Sequence, residues 1–110
     1  MERMGSMNVD GQSYEFEDRF LAHVQVVLAQ KMRRHESFLL SWSAPAHEHA
    51  WGRVSVWISP AAVVSFRFSG SRTAALNHAW LESMVTATHS TRGLDLDVQR
   101  EPVEGSPASG

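Results

Sequence analysis

Histidine, lysine and serine are the side chains of this 110-residue sequence to search first for metal ligands and nucleophiles. Two of the six histidines stand in the segment His47-Glu48-His49, with His35 and Trp51 close by in sequence. An i, i+2 spacing cannot put both rings on one helical face, as the two histidines of His-Glu-x-x-His are placed. A loop or strand could still bring them to a metal, yet no third ligand offers itself, so no metal site is expected. His23 and His78 fall beside apolar helical stripes and His89 near a helix end, where packing or capping is the expected role. Cysteine is absent, which removes disulfides, thiolate metal sites and cysteine nucleophiles together. Serines are plentiful, but no Gly-x-Ser-x-Gly elbow exists and no glycine-rich phosphate loop appears. The expectation is therefore no catalytic set and no cofactor.

Lys31 is the only lysine, so any lysine nucleophile must be Lys31. It opens a basic run, Lys31-Met32-Arg33-Arg34-His35. Lys31, Arg33 and Arg34 are the candidates for phosphate contact. The competing reading is a solvated helix end whose cations complement the helix dipole.

The elements that position these residues follow from periodicity. Met7 to Val9, Asp10-Gly11 and Ser13 to Phe16 read as a hairpin, with Asp-Gly supplying the positive φ angles of a tight turn. From Asp18 to about Arg34 the spacing turns helical: Phe20, Leu21, Val24, Val27, Leu28 and Met32 form one stripe. Phe38 to Ser43 alternates as a strand, and Arg53 to Ser59 alternates again until Pro60. Val63 to Phe68 resumes the alternation. A second helix is expected from roughly Thr73 to His89, striped by Leu76, Ala79, Trp80, Met84 and Ala87, with Gly93 placed to end it. Leu94, Leu96 and Val98 alternate with Asp95 and Asp97 in a last strand.

The order is β-β-α-β-β-β-α-β, an α+β domain. Both helices are one-sided and must bury their stripes, so a single mixed or mostly antiparallel sheet of about six strands with both helices on one face is the economical arrangement. Its covered face takes Phe38, Leu40, Trp42, Val54, Val56 and Ile58 with Val64, Phe66, Phe68, Leu94, Leu96 and Val98. The opposite face then carries Leu39, Trp57 and Val63 among serines, aspartates and Arg67. That trio is the candidate interface, because an exposed tryptophan is a frequent binding hot spot and small serines permit close approach. A homodimer is expected, with another protein as an alternative partner.

Composition bounds the rest. Residues 1–100 make one domain, and the Pro-, Gly- and Ser-rich residues 101–110 read as a disordered tail. The net charge of −2 lacks the basic excess of a non-specific nucleic-acid binder. No apolar run is long enough to span a membrane, and no secretory h-region is present, so the cytoplasm is the expected compartment.

The segments EFEDRFLAHVQVVLAQKMRRHESFLLSW, GRVSVWISP, FRFSGSRTAALNHAWLESM and STRGLDL resemble a family of short actinobacterial proteins of unknown function. The resemblance covers roughly residues 13 to 98. The departures fall at Met1 to Met4, around His47 to Trp51, and in the tail. Members of that family often carry the label ATP-dependent DNA ligase, which implies an accessory nucleic-acid-binding domain associated with ligation or repair. Ligase activity itself is not expected. Such ligases attack ATP with the lysine of Lys-x-Asp-Gly, whereas Lys31 is followed by Met32-Arg33-Arg34, and Asp10-Gly11 has Asn8 where the lysine would stand.

Overall fold

The computed structural model describes residues 4–43, 52–70 and 75–102. The elements run β1 (Met4–Val9), β2 (Gln12–Glu17), α1 (Asp18–Arg33), β3 (Phe38–Ser43), β4 (Arg53–Ile58), β5 (Val64–Arg67), α2 (His78–Ala87) and β6 (Leu94–Asp95), closed by a 3-10 turn at Leu96–Val98. The α+β order is the expected one. The single sheet is not: the strands form two three-stranded sheets, β2-β1-β5 and β4-β3-β6. Pro60 interrupts the chain after β4, and β5 pairs antiparallel with β1, Val9 opposite Val64, rather than continuing beside β4. In the second sheet β3 lies between antiparallel β4 and parallel β6.

Local chemistry explains the elements. The β1–β2 turn holds Asp10 at φ 48° and Gly11 at φ 91°, the two positive angles that a two-residue hairpin needs. The Asn8 Oδ1 accepts from the Gly11 N–H to close it. β1 extends three residues further back than periodicity implied, because β2 and β5 flank it on both sides. Helix α1 ends in a left-handed turn in which His35, at φ 56°, takes the conformation usually given to glycine. The His35 N–H donates to the Met32 carbonyl and the Glu36 N–H to the Lys31 carbonyl.

Helix α2 begins at His78, later than expected, because Asn77 caps it: its Oδ1 accepts from the Trp80 N–H. It also stops before Gly93. That glycine sits at φ 72° for another reason, since a Cβ there would lie 2.2 Å from the Leu39 carbonyl oxygen. β6 could not come beside β3 with a side chain at that position. The expected last strand is cut to two residues, and the turn at Leu96–Val98 leaves Val98 exposed rather than covered. Phe68, also expected on the covered face, falls just past the end of β5 and is exposed too.

The core joins both sheets and both helices. Met7 and Phe16 of the first sheet, Leu21, Val24 and Leu28 of α1, Leu40, Ile58 and Leu94 of the second sheet and Met84 of α2 all belong to one buried cluster. Trp42 of the second sheet packs edge-on against Tyr14 and Phe16 of the first, with centroids 5.0 Å apart in each pair. Trp80 lies against Phe20 and His23, which locks the two helices together.

Beneath that contact runs a polar chain. His23 is fully buried; its Nε2 accepts from the Asn77 N–H at 2.9 Å, so its Nδ1 carries the proton and donates to the Arg19 carbonyl at 2.7 Å. The Asn77 Nδ2 donates to Glu101 and to the Pro102 carbonyl, and Glu101 takes a bidentate pair from Arg19. Glu101 and Pro102, which composition had put in the tail, are thus held by α1 and the cap of α2. Residues 103–110 lie outside the described residues.

Candidate interaction face

The register of β3 against β4 sets the outer face of the second sheet. Leu39 stands opposite Trp57, Ser41 opposite Ser55, and Ser43 opposite Arg53. Alternation sends Phe38, Leu40 and Trp42 inward and leaves these six on the other side. Trp57 is 61% exposed, while Leu39 is half-buried. Val63 is 74% exposed but belongs elsewhere. It adjoins β5 in the first sheet, where its N–H donates to the Asp10 Oδ1 and its carbonyl accepts from the Asp10 N–H. The expected trio is therefore a pair, Leu39 and Trp57, because the sheet that was to unite them with Val63 is two sheets.

The other end of this face is charged. Arg53 donates to Asp95 at 2.8 Å, to Asp97 at 3.0 Å and to the Ser41 hydroxyl at 3.2 Å. Its proton is held more tightly than in a free guanidinium, chiefly by the bond to Asp95. Asp97 accepts from the Ser43 N–H and hydroxyl as well, and the hydroxyl bond above all keeps its carboxyl below the ordinary aspartate range. Ser41, expected on an open face, is buried under this guanidinium bridge. Sequence reading placed Asp95, Asp97 and the serines on this face. It passed over Arg53, although Arg53 shares the parity of Ser55 and Trp57.

The phosphate candidates divide. Arg33 and Arg34 are exposed at the end of α1. Lys31 is 3% exposed and is no solvated helix end. Its Nζ donates to Glu36 at 3.2 Å and lies 3.4 Å from the His89 Nε2. Helical spacing puts Lys31 four residues past Val27, on the apolar side, and the left-handed turn at His35 brings Glu36 back over it. The hydrogen bond from Lys31 keeps the Glu36 carboxyl below its usual range. His47, Glu48, His49 and Trp51 lie outside the described residues. Among the described residues, no three His, Cys, Asp or Glu side chains are grouped to hold a metal, and no helix is long and apolar enough to cross a membrane.

Neither the curated proteins nor the solved structures contain a significant match to the chain. A family model does match, over residues 4–99, a span that takes in both sheets, both helices and every residue of the face just described. The chain belongs to the family described as a domain of unknown function, DUF7882.

Proposed function

We propose that this protein is a non-catalytic interaction domain that self-associates through the outer face of its second sheet, around Leu39 and Trp57. The carrying observation is Trp57, 61% exposed near the end of strand β4 and directly opposite an apolar partner. A large indole held outward on a rigid strand needs no ordering before it is buried. Among the described strands β4 is also the edge of its sheet, so the apolar pair adjoins a strand edge that a second copy can approach. At the far end, Arg53 is already paired with Asp95 and Asp97, so closing the face strands no lone cation. A twofold axis through Trp57 brings the patch onto itself.

The size of the face sets the strength. Three strands of six residues or fewer span about 20 Å by 14 Å, well short of a standard interface. A weak, concentration-dependent association is therefore expected, not an obligate dimer. Analytical ultracentrifugation from about 5 to 200 μM tests it: the sedimentation coefficient of the wild type is expected to rise with concentration. Trp57→Glu is expected to stay monomeric with an unchanged melting temperature, because the core lies on the other side. A wild type that stays monomeric throughout overturns the proposal.

The second reading, an accessory nucleic-acid-binding domain, is supported by exposed Arg33 and Arg34 at one end of α1. With Lys31 enclosed, two cations remain in that run. Two phosphate contacts give a salt slope of only about −2 in log–log form, so binding on this route is weak and vanishes by moderate salt. Fluorescence anisotropy with duplex DNA at several salt concentrations checks it, and Arg33→Gln/Arg34→Gln is expected to remove the slope.

A further inference from the structure

Where the two sheets meet, a cleft of about 170 Å³ opens between the edge of β2 and the end of β3. Phe16, Phe20 and Trp42 line its apolar part, and Glu15 and Asp97 are its charged groups. We propose that this cleft, which shares only Ser43 and Asp97 with the charged end of the self-association face, is a binding site for a small organic ammonium ion.

The ring geometry is the first argument. Phe16 touches both neighbours, with its centroid 5.0 Å from Trp42 at 69° and 6.3 Å from Phe20 at 49°. The three rings meet at angles and not in a flat stack, and since Phe16 and Trp42 are almost wholly buried, Phe20 is the most accessible of them. A cation within about 6 Å of such rings is attracted by their negative faces. Charge is the second argument. No arginine or lysine lines the cleft, while two carboxylates do. The nearby Arg53 is already engaged by Asp95 and Asp97 together, and Asp97 stays ionised because the Ser43 hydroxyl and N–H hold its oxygens. The charge of Asp97 is met by Arg53, so Glu15 supplies the attraction: an anion would enter against it, and a neutral apolar molecule would gain nothing from it.

Size is the third. A volume of 170 Å³ equals roughly five or six waters, far below the ~300 Å³ at which pockets begin to hold drug-sized molecules. The ligand is then a compact ammonium head, with any longer substituent leaving through the open mouth.

Choline and its uncharged carbon isostere, 3,3-dimethylbutan-1-ol, separate charge from shape. Titrated into the ¹⁵N-labelled full chain at constant ionic strength, choline is expected to shift the Trp42 indole and the Glu15 and Phe16 amide resonances with millimolar affinity. The isostere is expected to bind about ten-fold more weakly, the share that cation–π and carboxylate attraction supply. Glu15 is exposed, so Glu15→Gln should fold as the wild type does and weaken choline several-fold. Phe20→Leu, which keeps an apolar filler but no π face, should do the same. Equal affinity for the two compounds, binding of choline unchanged in both variants, or no shifts at about 50 mM choline would each overturn the proposal. Choline binding is read from amide and indole shifts and self-association from sedimentation, and Glu15 and Phe20 lie outside the face, so either proposal can fail without the other.

Discussion

Single side chains decide how the two helices hold together. Trp80 is 5% exposed, tilted against His23 and Phe20, and its Nε1–H is buried with no acceptor among the described residues. Trp80→Ala removes a large core side chain and is expected to cost about 3–5 kcal/mol in urea unfolding. Trp80→Phe gives up less, roughly 1 kcal/mol, because it also removes a polar hydrogen that burial leaves unpaired. Glu101 offers a pH test at the same scale. The bond from Arg19, reinforced by Asn77, brings its carboxyl down to about 2. A depressed folded-state pKa contributes stability above the unfolded value near 4.5, and that contribution is lost as pH falls towards 2. The pair is about one-third exposed, so screening limits its worth to roughly 1 kcal/mol. Glu101→Gln should therefore be less stable than wild type at pH 7, with the gap closing between pH 4.5 and 2. A gap that does not change with pH would mean that the variant loses only packing, not a charge.

At the scale of elements, the turn after α1 carries a cost in its own sequence. His35 occupies a left-handed position with a Cβ, where glycine meets no steric penalty. His35→Gly is expected to stabilise the protein by up to about 1 kcal/mol, partly offset by the greater freedom of glycine in the unfolded chain. Thermal unfolding of the variant measures it, and a clear loss would show that the imidazole makes a contact worth more than the strain. The same turn is what encloses Lys31: Glu36 returns over the helix and accepts its hydrogen bond. Incubation with radiolabelled ATP and magnesium is expected to leave no covalent lysine–AMP, since the only lysine is buried and engaged. A labelled band that disappears in Lys31→Ala would refute this.

For the whole molecule, two small sheets in place of one large sheet change which surfaces are available. Each sheet covers one side of a shared core, and the join between them is made by Trp42 against Tyr14 and Phe16. The split separates Val63 from Trp57, shrinks the apolar face to a pair, and opens the aromatic cleft at the junction. Self-association through so small a face should respond to a single charge. Sedimentation of Trp57→Glu should therefore lose all concentration dependence, whereas Val63→Glu, on the other sheet, should sediment as the wild type does. If both variants lose it, the contact surface spans both sheets; if both keep it, Trp57 is not in the contact.

What the residues determined by themselves is local. The α1 stripe, the Asp10-Gly11 turn, the inward parity of Phe38, Leu40 and Trp42, and the outward parity of Trp57 all follow from spacing, because a helix or strand turns its side chains with a fixed period. The expected burial of Trp80 came from the same rule. What only the tertiary structure decided is partnership. Alternation says which side of a strand is apolar but not which strand lies beside it, so one sheet and two sheets read alike until β5 pairs with β1. A lysine at a helix end reads as solvated until a following turn covers it, and Glu101 reads as tail until Arg19 and Asn77 reach it. Each of these outcomes rests on hydrogen bonds or packing set by how the elements assemble, and no local period encodes them.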